Sequence, residues 1–379
     1  MGITIPPVDP GSLPRHPLPL SRILATYRLE APAAEIRARA EALAVEQSVE
    51  MPVAAIDDRR VLDDVVARVE SIRPAGDAHE VVLGIASETT GFEASQLANM
   101  LFGNCSLQPE VALQDVAFPD DVLAAFPGPA FGVAGLREAT GAHGRPLTCS
   151  ALKPQGAPIE HLARLAATFA RAGIDVVKDD HGIANQGYGP FAERVPEVQR
   201  AIDAANRETG GRTLYAPTFS GGPRALEEQS RIARECGVRA ALVAPMLVGL
   251  PVFAELRARL GIPLLAHPAF AGAGRIAPAL LLGKIFRLLG ADATIFPNHG
   301  GRFSYSRDTC LAVAREARAP WGRFPATLPV PAGGMSVERV PEMVADYGRD
   351  VMLLVGGGLL SAGAALPGRA RAFVAAAAT

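Results

Sequence analysis

From residue 147 onward, short apolar runs alternate with longer segments of helical period, and the alternation repeats eight times. The runs span 147–154, 174–180, 213–218, 240–246, 263–268, 293–298, 326–334 and 351–358. Within each, apolar residues follow one another directly, the pattern of a parallel strand buried on both faces. Between them lie amphipathic stretches such as IEHLARLAATFARAG (159–173), RALEEQSRIARECG (224–237) and SVERVPEMVADYG (336–348), each ending in Gly, the residue that closes helices. Eight βα units closing on themselves predict a (β/α)8 TIM barrel, which takes about 250 residues. An open doubly wound sheet competes, but the count reaches eight and no GxGxxG follows the first strand.

The N-terminal part has a different rhythm. Segments 23–31, 78–88 and 111–119 read as strands, and 33–47 and 93–103 as helices. They predict a smaller α+β domain, ferredoxin-like, with an antiparallel sheet. Segment 127–135 and the Gly- and Pro-containing stretch to 146 read as a linker, giving an N-terminal α+β domain over 1–130 and a barrel domain over 131–379.

Composition narrows the function. The 37 basic and 39 acidic residues leave a net charge of -2, with no run of five like charges, which argues against nucleic acid or an anionic membrane as partner. The longest apolar stretch, 240–254, is broken by Pro245 and Pro251, and no segment offers the roughly 18 to 20 apolar residues of a membrane span. Cys105, Cys149, Cys236 and Cys310 form no CxxC, so reduced thiols are expected. The Pro-rich opening lacks the basic and apolar regions of a leader, and a cytoplasmic location is expected.

Of the 37 basic residues only Lys153, Lys178 and Lys284 are lysine. In a barrel, residues at the C-terminal ends of strands face the active-site mouth. The first run ends in Lys153 and the second in Lys178-Asp179-Asp180-His181. The third offers Thr218, the fifth His267, and the sixth Asn298 and His299. The seventh ends in Gly333-Gly334 and the eighth in Gly356-Gly357-Gly358. Two of three lysines thus fall at strand mouths. Alternation sends Lys178 and Asp180 to one face, with His181 following as the chain leaves the sheet. Carboxylate oxygen suits Mg²⁺, and imidazole also accepts Zn²⁺, Mn²⁺ or Fe²⁺. The competing reading is structural, a Lys–Asp ion pair plus a helix-capping Asp. The glycine pairs fit a phosphate site made of bare backbone N–H groups, although tight βα turns also use them. His267 reads as a general base or a core histidine, and His299, on a loop with the makings of a lid, is a further catalytic candidate. His161 and Lys284 fall on outer helices and need no function.

Taken together these segments resemble the RuBisCO large-subunit superfamily. IDVVKDDHGIANQGYGPFAERV (174–195) is similar to the strand-2 segment in which a lysine is carbamylated and binds Mg²⁺ with an Asp and a Glu. GRPLTCSALKPQG (144–156) resembles the strand-1 segment with its Lys-Pro-Lys, and LLAHPAF, PAGGM and VGGG the strand 5, 7 and 8 segments. LFGNCSLQPEVALQDVAFP (101–119) and AEALAVEQS (40–48) resemble segments that give an Asn and a Glu to a neighbouring subunit's site. The resemblance implies Mg²⁺ or another divalent metal on Lys178, Asp180 and His181, with Lys178 as a carbamate. It places Lys153 and His267 near the substrate's carbon skeleton and Gly333, Gly334, Gly357 and Gly358 on a phosphate. It also implies a homodimer in which Glu46 and Asn104 act across the interface.

Several positions depart from the family. His181 stands where the family has Glu, Gln155 replaces the second Lys of Lys-Pro-Lys, and Pro268 replaces a phosphate-binding Arg. The carboxylase needs a Lys in the loop after strand 6, and HGGRFSYSRD has none. The expectation is a non-carboxylating RuBisCO-like enzyme that forms a metal-stabilised enediolate from a phosphorylated ketose. It would be an isomerase or enolase of the 5-methylthioribulose 1-phosphate type. The alternatives are a decarboxylase of a phosphorylated 3-oxo sugar acid and a non-catalytic regulatory homologue, which the broken ligand triad at His181 would favour. A Schiff-base aldolase at Lys178 is disfavoured, because two adjacent carboxylates keep an amine protonated.

Overall fold

The computed structural model describes residues 21–379; the Pro-rich opening read above for a leader lies outside the described residues. The chain divides into two compact units. Among the described residues, one comprises 21–92 with Gln96–Val111 and Val116–Val122, and the other Glu93–Ser95, Ala112–Asp115 and Leu123–Thr379.

The first unit carries strands β1 (Arg22–Leu29), β2 (Arg68–Ala75), β3 (Ala78–Ala86) and β4 (Val111–Ala117) in the order β2-β3-β1-β4. With helices Ile36–Glu46 and Ala94–Phe102 between strands, this is the expected ferredoxin-like order. Strand β2 is the one absent from the sequence reading. It is an edge strand, RVESIRPA, with no buried residue, so it lacks the apolar alternation by which half-buried strands are recognised. Its Pro74 sits where an edge tolerates the missing N–H.

The second unit is the barrel. Its strands are β5 (Leu147–Leu152), β6 (Val176–Asp179), β7 (Leu214–Ala216), β8 (Thr218–Phe219), β9 (Ala241–Val243), β10 (Leu264–Ala266), β11 (Ala293–Pro297), β12 (Leu328–Ala332) and β13 (Met352–Leu354). Each of the eight apolar runs becomes a strand, the third divided by Pro217. Lacking an N–H, Pro217 interrupts the ladder, so β7 pairs with β6 and β8 with β9. All these pairings are parallel, β13 returns to β5 through Met352↔Leu147, and β12 packs beside β13.

Residues two apart along the strands, such as Leu147 and Cys149, Ala293 and Ile295, Leu328 and Val330, line one buried cluster inside the barrel. Leu136 and Ala142 belong to that cluster although they lie in the segment read as a linker. That segment holds a helix, Gly132–Thr140. Its glycines and flanking prolines hide an apolar i, i+3 face, Val133 and Leu136, that packs into the barrel's N-terminal end. Asp292, fully buried, fixes it there by accepting N–H bonds from Phe131 (2.6 Å), Gly132 (2.8 Å) and Leu264 (2.9 Å). The bottom is thus plugged, and chemistry is left to the opposite end.

Candidate active site

The ends of β5, β6 and β10 bring five of the named side chains together. Register places Lys178 beside Ala151 of β5 and Ala216 of β7, well inside the barrel wall. It is 3% exposed, and its Nζ donates to the Asp179 carbonyl at 3.0 Å. Lys153 Nζ lies 2.6 Å from Asp180 Oδ2, and His181 Nδ1 lies 3.5 Å from Asp180 Oδ1. His181 in turn stacks on His267, with ring centroids 4.3 Å apart and planes 15° apart. The structural reading pairs Lys178 with an Asp of its own segment; the ion pair to Asp180 comes instead from Lys153, in the same cluster as the buried amine.

Alternation turns Asp179 away from this group. Its carboxylate accepts from Tyr215 Oη (2.8 Å), Thr218 N (3.1 Å) and Arg194 Nη2 (3.2 Å), and Asp179 and Arg194 are both fully buried. Asp179 is therefore a support that fixes the strand end from behind. Sequence reasoning missed its partners. The available signal was Arg194 in register with Phe191, Val195 and Val198 on an apolar helical face, where a charge needs a partner.

Burial shapes the electrostatics. It pushes the Lys178 amine below its ordinary value, outweighing the pull of Asp180 and Asp179, so the expectation that the adjacent carboxylates keep this amine protonated is corrected: burial wins over their charge. At Asp180 burial opposes ionisation, yet hydrogen bonds from His181 and Lys153 hold the carboxyl well below the usual range. His267 is pushed down to about 2, first by burial and then by the charges of Lys178 and His181. Its Nδ1 accepts the Ala269 N–H at 3.1 Å, so the neutral ring carries its proton on Nε2.

An unfolded chain takes up a proton on this histidine below about pH 6.5, whereas the folded chain refuses it until about pH 2, so stability falls on acidification through that window. His267→Gln should therefore flatten the loss of stability between about pH 6 and pH 4 by up to about 1.4 kcal/mol per pH unit. Thermal melts across that range check this; an unchanged slope contradicts it.

The glycine loops lie next to this cluster. A Cβ on Gly356 would stand 4.0 Å from Lys153 Cε, and one on Gly358 would stand 2.6 Å from the Met335 carbonyl oxygen. Gly333 and Gly334 have φ of 88° and 91°, conformations that favour glycine. The loops after β12 and β13 are thus in backbone contact. Gly358→Ala is expected to force them apart and raise the KM for a phosphorylated substrate about tenfold, measured by steady-state kinetics.

The His299 ring is engaged by two carboxylates. Its Nε2 lies 2.8 Å from Asp346 and 3.8 Å from Glu342, both on the helix Val340–Tyr347. These three form the one His/Asp/Glu group with ligand atoms within 4.8 Å of one another among the described residues. Arg307 (2.5 Å from Asp346) and Arg339 (2.9 Å from Glu342) neutralise its carboxylates, making it an ion-pair network. In the first unit, Asn104 Nδ2 donates to Glu46 (3.0 Å) and Glu50 (3.2 Å), so Glu46 and Asn104 are neighbours. Lys284 lies on an outer helical segment and pairs with Asp115 and Glu316. Gln155, in place of the second lysine, donates to the Tyr188 hydroxyl at 2.8 Å, tying the loops after β5 and β6 together.

A plugged (β/α)8 barrel that gathers a buried amine, a carboxylate and two imidazoles at the C-terminal ends of its strands defines the class, a barrel enzyme with its chemistry at the strand mouths. Residues 132–303 match the model of the ribulose bisphosphate carboxylase large chain, catalytic domain. The chain belongs to this family, among its RuBisCO-like, non-carboxylating members. The 5-methylthioribulose-1-phosphate isomerase of Rhodospirillum rubrum is 56% identical over 357 residues, covering 93% of this chain and 96% of that protein. A 2,3-diketo-5-methylthiopentyl-1-phosphate enolase of Geobacillus kaustophilus is 33% identical, covering 90% and 88%. The crystal structure of a Rubisco-like protein from Rhodopseudomonas palustris superposes with a TM-score of 0.89 at 48% identity, covering 94% and 98%.

Proposed function

We propose that the enzyme moves a proton next to the carbonyl of a phosphorylated ketose, as an isomerase or enolase of the 5-methylthioribulose 1-phosphate type. The observation that carries this reading is the buried, pKa-depressed amine of Lys178 in one cluster with Asp180, His181, Lys153 and His267. The names of the relatives above support the substrate class.

The donor set fits a divalent cation. Burial lowers the Lys178 pKa and so favours the neutral amine that carbamate formation requires, and Asp180 is held ionised beside it. The Lys178 carbamate, Asp180 and His181 would hold the ion; Mg²⁺ is the family's choice, and the imidazole widens it to Zn²⁺, Mn²⁺ or Fe²⁺. Bound there, it supplies positive charge to adjacent substrate oxygens. Lys153 places an N–H donor 2.6 Å from Asp180, where it orients the substrate's oxygens. His267, neutral and protonated on Nε2, offers a proton at that atom. The Lys178 side chain, as its carbamate, would be the base that takes the proton from the carbon next to the carbonyl; the C–H electron pair becomes the new C=C of the enediolate while His267 Nε2–H donates to the oxygen that gains charge, and return of the proton to a neighbouring carbon completes an isomerisation. The Gly333–Gly334 and Gly357–Gly358 loops would take the phosphate through backbone N–H groups.

Glu46 and Asn104, hydrogen-bonded to each other, are proposed to complete the site of a partner in a homodimer. Free cysteines, three of four buried, support a reducing, cytoplasmic location. Among the described residues no helix is long and apolar enough to cross a membrane. Turnover of 5-methylthioribulose 1-phosphate and of the methionine-salvage diketone phosphate tests the assignment. Isomerised or enolised product is expected; CO2 release from a phosphorylated 3-oxo sugar acid, with neither of the first two consumed, would replace this reading by decarboxylation.

A further inference from the structure

We propose that Arg302, in the loop after β11, is a second holder of the substrate's phosphate, acting with the backbone N–H groups of Gly333 and Gly334. This rests on the phosphorylated-substrate reading above. The loop is fastened to the one after β12: Arg302 N donates to the Gly333 carbonyl at 2.9 Å, and Asn298 N to the Ala332 carbonyl at 2.8 Å. A Cβ on Gly301 would meet the Gly333 oxygen at 2.0 Å, and one on Gly334 would meet Arg302 Cγ at 3.1 Å. The arginine stem therefore lies against the glycine pair. The root of the loop is pinned as well, since Arg339 Nη2 donates to the His299 carbonyl at 3.0 Å and the His299 ring is held by Asp346.

What this fastening delivers is a cation with no acid of its own. Arg307 and Arg339 are each engaged by a carboxylate, Asp346 and Glu342. Among the described residues Arg302 pairs with none; its guanidinium lies over the Phe303 ring, 5.3 Å from the centroid. Phe303 in turn crowds Gly333, at 3.0 Å from the place of a Cβ. The other mouth cations are committed, Lys153 to Asp180 and Lys178 to the strand wall. A phosphate monoester on uncharged glycine N–H groups needs a cation for its second charge, and a planar guanidinium supplies two parallel hydrogen bonds.

The test is calorimetric titration of inorganic phosphate into the full-length protein, its Arg302→Gln variant and its Arg302→Lys variant, with kinetics on the phosphorylated ketose alongside. Phosphate binding should weaken about ten- to a hundredfold in Arg302→Gln and recover partly in Arg302→Lys, with KM rising more than kcat falls. Equal phosphate affinity in the parent and Arg302→Gln overturns the role of Arg302 alone. A parent that binds no phosphate overturns the phosphorylated-substrate reading with it.

Discussion

Lys178→Arg should lower kcat/KM on the order of a thousandfold or more, the scale of losing a group that acts on charge developing in the transition state. The substitution keeps a long cationic side chain, so it isolates the chemistry of the amine. Lys178 is 3% exposed and its pKa is lowered by burial, so the amine has access to the neutral form that reacts with CO2. A guanidinium does not deprotonate and forms no carbamate. Its larger head also meets Asp180 and the barrel wall, where overpacking costs about 1–3 kcal/mol. Circular dichroism separates a folding failure from a chemical one, and Lys178→Met, smaller and uncharged, is expected to fold and to be equally inactive. Either variant keeping more than about a tenth of parental turnover would remove Lys178 from the mechanism.

Arg194→Met is expected to be the most destabilising change near the site. It leaves the fully buried Asp179 without its cation, which typically costs about 3–5 kcal/mol and translates to a melting temperature lower by on the order of 10 °C. Burial already raises the Asp179 carboxyl, against the opposing charge of Arg194. A raised carboxyl contributes stability below its unfolded value that is lost as pH rises, so the gap to the parent should narrow in acid. The double variant Asp179→Asn, Arg194→Met should recover part of the loss, because no charge then remains buried. Scanning calorimetry reads all three. A melting temperature for Arg194→Met within about 2 °C of the parent would contradict the pairing.

These two residues also mark how far the sequence can be read. The barrel was legible because parallel strands buried on both faces leave uninterrupted apolar runs, and even Pro217 split only one of them. Strand β2 was not, because an exposed edge carries no such signature. The helix Gly132–Thr140 was hidden by glycines and prolines whose backbone roles at the barrel's closed end look like linker composition. At the site, the gathering of Lys153, Lys178, Asp180, His181 and His267 followed from their places at strand ends. Which neighbour each adopts is a tertiary matter. His299 shares the strand-end logic, yet Asp346, contributed by a helix more than forty residues on, takes its ring. The bond from Asp179 to Arg194 likewise depends on how the helix Phe191–Thr209 packs, which no local pattern states.

Proton exchange in deuterium oxide tests the enolisation mechanism most directly. The purified enzyme, supplied with Mg²⁺ and bicarbonate, is incubated with 5-methylthioribulose 1-phosphate and the carbon-bound positions are followed by NMR. Enolisation at the Lys178 cluster predicts deuterium at a carbon beside the carbonyl, dependent on the metal and absent in Lys178→Arg. Turnover of that ketose phosphate with no exchange in any product, or equal exchange in Lys178→Arg, would contradict it.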